Sequence, residues 1–62
     1  MADKALSQEE RMAVFLALVE AQDGDQSVAQ SRRSVAKQFG ISEDQVRRIE
    51  REGLDSEWPP LG

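Results

Sequence analysis

The chain has no cysteine, no histidine and no tyrosine. Lacking cysteine, it can form no disulfide. Lacking histidine as well, it is without the commonest metal ligand and the commonest general base, so no structural zinc site and no cofactor are expected. Its two prolines are adjacent, at Pro59 and Pro60, and its aromatic side chains are Phe15, Phe39 and Trp58. The longest apolar run, Met12 to Val19, stops at Glu20, well short of the about 20 residues a membrane span requires. The start Met1-Ala2-Asp3-Lys4, followed by Glu9 and Glu10, lacks the basic lead of a signal peptide. A cytoplasmic protein with no membrane partner is expected. At 62 residues the chain makes one small domain, burying about 60% of the surface its unfolded form exposes. Such a chain is expected to have no room for a pocket of several hundred Å³, and it carries no phosphate-binding glycine loop. Neither an enzyme nor a small-molecule binder is expected.

The net charge of −4 argues at first against nucleic acid, because phosphate binding is driven by Lys and Arg releasing counterions. The distribution matters more than the sum. Residues 1–31 carry two basic and six acidic side chains, while residues 32–54 carry six basic (Arg32, Arg33, Lys37, Arg47, Arg48, Arg51) and four acidic (Glu43, Asp44, Glu50, Glu52). Asp55 and Glu57 add two further negative charges at the end. The basic charge is a modest patch in the second half of the chain.

Periodicity predicts an all-α fold, a three-helix bundle with helices over about 8–22, 32–38 and 43–52. Ser7 and Glu10 have the spacing of a capping box, after which Met12, Phe15, Leu16 and Val19 recur at intervals of three and four, with Val14 and Leu18 widening the stripe. Asp23-Gly24-Asp25 should end helix 1, with Gly24 in the left-handed conformation. Ser27 and Ser31 are both candidate caps for helix 2, and Ser27 to Gln30 also has capping-box spacing. A start at Arg32 is the reading preferred here. Phe39-Gly40-Ile41-Ser42 breaks the pattern; Gly40 supplies the positive φ of a tight turn, and Ser42 caps helix 3 with Gln45 in the reciprocal position. Gly53 should terminate helix 3, with Leu54 making the apolar contact of a glycine C-cap. The three helices assign residues 1–54 to a domain, preceded by a frayed lead-in over 1–6. Residues 55–62 follow as an extended tail containing Trp58-Pro59-Pro60-Leu61.

Helices 2 and 3 have the residue pattern of a helix-turn-helix. In that motif two short helices cross steeply, so the crossing needs small or apolar residues at fixed places. Counted from Arg32, those places hold Val35, Ala36, Phe39, Gly40, Ile41, Val46 and Ile49. Ala36 is small where the second helix approaches, Gly40 makes the turn, and the other five form an apolar wedge.

The stretch Ser34 to Leu54, about a third of the chain, resembles the helix-turn-helix DNA-binding superfamily. Its nearest likeness is to the promoter-reading region 4 of bacterial sigma factors. Val35-Ala36-Lys37, Phe39-Gly40-Ile41-Ser42 and Val46-Arg47-Arg48-Ile49-Glu50 carry the likeness. The acidic first helix and the Trp-Pro-Pro tail lie outside that pattern. The resemblance implies that helix 3 enters the major groove of double-stranded DNA N-terminus first. On that reading Ser42, Arg47 and Arg48 meet base edges, the arginines pairing with guanine O6 and N7. Arg32, Arg33, Lys37 and Arg51 meet phosphates. Glu43 and Asp44 lie at the reading end, where a carboxylate either accepts from cytosine N4 or repels phosphate. The expected function is transcription regulation or an accessory role in it.

A second reading keeps the fold without the DNA. In it the chain is an adaptor or inhibitor that engages another protein of the transcription machinery through its acidic first helix or its tail. The arginines of helix 3 then pair with Glu43, Asp44 and Glu50 across helical turns, each pair contributing a few tenths of a kcal/mol. Two further alternatives stay open at this level. Trp58 is either folded onto the core or the anchor of a docking peptide. Met12, Phe15, Leu16 and Val19 are either core or the seam of a self-dimer.

Overall fold

Three serines start three helices. The computed structural model describes residues 5–59 and 61, in the order α1 (Gln8–Asp23), α2 (Val28–Phe39) and α3 (Glu43–Asp55), with no strand among them. Ser7, Ser27 and Ser42 sit in extended backbone just ahead of each helix. Each hydroxyl accepts from the backbone N–H three residues on: Glu10 at 3.1 Å, Gln30 at 3.2 Å and Gln45 at 3.0 Å. At the first two the side chain reaches back as well, Glu10 Oε1 accepting from Ser7 N at 3.1 Å and Gln30 Oε1 from Ser27 N at 3.3 Å. Two orphan donors are satisfied at each closed box.

The second box moves the start of α2 to Val28, a full turn ahead of the expected Arg32. Ser31, the rival cap, is 0% exposed inside the helix and donates its hydroxyl to the Val28 carbonyl at 2.8 Å. It serves as a small residue against the core.

The helix ends depart further from expectation. α1 continues to Asp23, and Gly24 leaves it with φ −84° and ψ −154°, in extended rather than left-handed backbone. Gly40 does take the left-handed conformation, φ 68° and ψ 37°, and the following Ile41 N–H donates back to the Ala36 carbonyl at 2.9 Å. Gly53 does not terminate α3. It is helical and buried, and the helix runs on to Asp55. The left-handed position after α3 falls to Glu57, φ 52°. Glu57 N–H donates to the Leu54 carbonyl at 3.3 Å and Trp58 N–H to the Gly53 carbonyl at 2.9 Å, the paired bonds of a Schellman closure. Leu54, expected to pack beside that cap, is 54% exposed.

The core follows from these ends. Val14, Phe15 and Leu18 of α1 meet Val35 and Ala36 of α2, Val46 and Ile49 of α3, and Trp58. Each helix packs on the other two. The stripe expected on α1 is therefore rotated. Val14 and Leu18 join Phe15 at its centre, Met12 and Val19 fall to its margin, and Leu16 is 43% exposed. The run Met12 to Val19 is apolar around the whole helix, so its periodicity alone does not select a face.

Phe15 sits where α1 crosses α3. A Cβ built on Gly53 would overlap the Phe15 ring, so the absence of a side chain is what admits the ring. On either side of this point Arg11 Nε pairs with Glu52 Oε1 at 2.9 Å and Gln22 Nε2 donates to Glu50 Oε2 at 3.3 Å. Two residues spaced about 16 Å along α1 thus reach residues only about 3 Å apart along α3, which means the helices cross rather than run alongside. Trp58 closes the other side, 6% exposed, its ring edge-on to Phe15 at 6.1 Å between centroids and 81° between planes. Such a pair contributes about 0.5–1.5 kcal/mol beyond its buried area. Trp58 is thus core, and Leu61 N–H turns back to its carbonyl at 2.8 Å. Leu6 also packs on the core, with its carbonyl accepting from Arg11 Nη1 at 2.8 Å, so the lead-in is tied down there. Its first four residues, 1–4, lie outside the described residues, as do Pro60 and Gly62 of the tail.

Two substitutions should move stability against ordinary propensity. Gly53→Ala would gain about 1 kcal/mol of helix propensity on an open surface. Here it should cost a net about 1–3 kcal/mol by forcing a fully packed ring to shift, read as a lower midpoint in thermal unfolding. Glu57→Gly should instead stabilise by about 0.5–1 kcal/mol, because glycine occupies the left-handed region without a Cβ penalty. That corresponds to a rise of about 4 °C in a domain of this size.

Candidate functional site

Burying Val46 and Ile49 turns the opposite side of α3 outward. Asp44, Arg47, Arg48, Arg51 and Leu54 are all exposed on it. Between this face and the start of α2 runs an open groove of about 740 Å³. Its cations are Arg32, Arg47, Arg48 and Arg51, and its anions are Asp44, Glu50 and Asp55, with Leu54 at one end. The expectation that so small a chain has no concavity of several hundred Å³ is corrected on size. The space is a furrow along α3, open to solvent, to which α2 contributes Arg32.

The cations of the groove are not equivalent. Arg32 grips Glu50 through two nitrogens, Nη2 at 2.8 Å and Nε at 3.2 Å, both on Oε1. The other oxygen of Glu50 takes Gln22 from α1. One carboxylate, 18% exposed, thus joins all three helices. Arg47 pairs with Asp44 one turn earlier on α3, at 3.5 Å between side chains 63% and 76% exposed. The first contact fixes helix positions, and the second is a loose surface pair of the kind that contributes about 0–1 kcal/mol.

The residues singled out in the sequence divide accordingly. Val35, Ala36, Val46 and Ile49 are buried, Phe39 and Ile41 are half-buried against the core, and Gly40 makes the turn. Arg47, Arg48 and Arg51 come together on the groove. Arg33 and Lys37 are exposed on α2 but do not line it. Arg32 lines it with its guanidinium engaged by Glu50. Ser42 is exposed at the N-terminus of α3, its oxygen accepting the Gln45 N–H that starts the helix. Glu50 was read from sequence only as a pairing partner for neighbouring arginines of its own helix. Its position next to the buried Ile49 and four residues after Val46 sets it at the edge of the packed stripe, where a side chain meets the other helices.

Comparison with protein-family models, with curated proteins and with solved structures gives no match.

The two ion pairs should separate when single variants are compared by denaturant unfolding. Glu50→Ala should cost about 1.5–3 kcal/mol, since it removes charge-assisted bonds to two helices and strands a half-buried guanidinium. Asp44→Ala should change stability by less than about 0.5 kcal/mol. Similar losses at both sites would mean that Glu50 does not brace the bundle.

Proposed function

We propose that the chain is a DNA-binding protein of the helix-turn-helix type, with α3 as the helix that enters the major groove. The observation that carries this reading is the junction of α2 and α3. Left-handed Gly40, locked by the Ile41 bond to Ala36, ends one helix and starts the next within three residues. Ser42, Arg47 and Arg48 then lie along the solvent side of α3, with Arg51 one turn on. The sigma region 4 likeness of residues 34–54 supports the same role, and transcription regulation is the process it suggests.

Within this reading the work divides by position. Arg47 and Arg48 are suited to guanine O6 and N7, each good bidentate contact being worth about 1–3 kcal/mol of discrimination. Arg33, Lys37 and Arg51 are suited to phosphates. Arg32 acts at one remove: its bond to Glu50 holds α2 against α3, which makes it a positioning residue. Asp44, beside Arg47, aligns that guanidinium and disfavours indiscriminate contact with phosphate. The net charge of −4 makes nonspecific affinity low, so a single copy reads few base pairs weakly and a second copy or another protein would extend the site. In the competing adaptor reading Trp58, being buried, does not act as the tail's anchor, and the exposed face of α1 is the larger surface it has to offer.

The test is titration of mixed and selected duplexes. Binding should appear at about 50 mM salt and weaken with a log–log slope of about −0.9 per phosphate neutralised. Arg33→Ala or Lys37→Ala should reduce that slope by about one contact on every sequence alike. Arg47→Ala with Arg48→Ala should remove the preference among sequences while the fold, followed by circular dichroism, persists. No binding of any duplex at low salt would overturn the proposal.

A further inference from the structure

α1 presents a second ordered surface, on the side away from the core. Glu9, Ala13, Leu16, Glu20 and Asp23 are all exposed, and their spacings of four, three, four and three put them on one helical stripe. Half-buried Met12 and Val19 border it. The stripe has an apolar centre, with Leu16 43% exposed, and carboxylates toward both ends. α3 carries its counterpart. Asp44, Arg47, Arg51 and Leu54 are exposed at spacings of three, four and three, with two guanidiniums leading to a leucine that is 54% exposed.

We infer that the exposed stripe of α1 docks on the α3 groove of a second copy of this chain, with the two helices antiparallel. The register is set by the apolar pair. With Leu16 of one copy opposite Leu54 of the other, Glu20 falls opposite Arg51 and Asp23 opposite Arg47, because moving forward four and seven residues on α1 matches moving back three and seven on α3. Parallel docking with the same leucines paired leaves only Glu9 facing Arg47. Docking α1 on α1 fails on charge. The antiparallel pair centred on Leu16 sets Glu9 against Asp23 at both ends, and the parallel pair sets each glutamate against itself. The complement to the acidic stripe is the α3 face of the same sequence, where Arg47, Arg48 and Arg51 outnumber Asp44 and Asp55, and complementary charge both steers the encounter and fixes register. The contact is heterologous, one surface meeting a different one. It covers Arg47 and Arg51, so a docked copy cannot use those side chains for anything else.

This inference does not depend on DNA reading, and its test contains no nucleic acid. Sedimentation velocity at about 1 mM protein and about 10 mM salt, where charges act over about 30 Å, should give a weight-average mass climbing from 6.9 kDa toward twice that or beyond. Raising salt to about 1 M, where the screening length is about 3 Å, should return it to the monomer. Glu20→Arg with Asp23→Arg, and separately Arg47→Glu with Arg51→Glu, should each be monomeric at low salt. Mixed in equal amounts they should associate again, because the reversed α1 of one complements the reversed α3 of the other, and the unmodified α3 and α1 that remain also complement each other. Circular dichroism of each variant establishes that the bundle is intact; Glu20→Gln with Asp23→Asn replaces the α1 variant if that loses helix, and Arg47→Gln with Arg51→Gln replaces the α3 variant, each again expected to stay monomeric at low salt. A wild-type chain that stays at 6.9 kDa throughout overturns the inference. So does association that survives both reversals, or a mixture that fails to restore it.

Discussion

The contact between Phe15 and Gly53 is the constraint from which the rest of the molecule follows. Three short helices must share one small core, and α1 can approach α3 closely only where α3 has no side chain. Gly53 is that place, and the Phe15 ring fills it. The ring then supports the edge of Trp58, which is brought there by the backbone closure after α3. A glycine inside a helix is ordinarily unfavourable by roughly 1 kcal/mol. Here that loss is offset by seating two aromatic rings, Phe15 and Trp58. The left-handed Glu57 is a second local cost borne for the same packing.

α1 crosses α3 near its C-terminal end, and the earlier turns of α3 pack on α1 and α2 through Val46 and Ile49 and turn their other side to solvent. Their orientation is set at two points, the Gly40 turn and the Glu50 carboxylate. The turn gives direction, since its bonds to Ala36 fix how the chain leaves α2. Glu50 gives rotation about the axis, since it must face Arg32 and Gln22 together. With Val46 and Ile49 inward and Glu50 sideways, Arg47, Arg48 and Arg51 have only the outward side left. The same brace takes Arg32 out of the pool of cations available to a partner. What reads in sequence as a basic strip over two helices is, in the fold, a face concentrated on α3 with Arg33 and Lys37 set apart on α2.

Features decided by local chemistry were legible in the sequence, and features decided by distant packing were not. Ser7, Ser42 and Gly40 act on residues within one turn of themselves, so spacing alone identified the starts of α1 and α3 and the end of α2. The start of α2 was ambiguous because Ser27 and Ser31 both satisfy the local rule. The closed Ser27–Gln30 box and the burial of Ser31 together separate them. Gly53 was misread for a similar reason: a glycine near the end of a periodic stretch has the local signature of a terminator, whereas its function is to admit a ring from a residue 38 positions earlier. An isolated glycine followed by further helix-compatible residues, Leu54 and Asp55, was the available hint. For α1 the apolar run offered several faces, and the choice between Leu16 and Leu18 belongs to the helices packed against it. Of the candidate site, the grouping of Arg47, Arg48 and Arg51 follows from helical spacing alone. The capture of Arg32 by Glu50 depends on tertiary structure.

The outward face of α3 has two proposed occupants, and their physics differs enough to order them. Duplex DNA presents about one phosphate per 1.7 Å of axis, whereas the α1 stripe offers Glu20 and Asp23 about 4.5 Å apart along its helix. Per contact, DNA is the denser anion and gains counterion release as well. The stripe offers Leu16 against Leu54, an apolar contact that phosphates cannot make and that salt does not screen. Raising salt therefore weakens both contacts but erodes the DNA contact more steeply. Raising protein concentration drives both equilibria, but the number of competing stripes grows with it, because each copy brings its own. A face arranged in this way would release weak, indiscriminate DNA contacts first and retain those in which Arg47 and Arg48 also gain base edges. The carboxylates of α1 would then sharpen discrimination at the arginines without touching DNA.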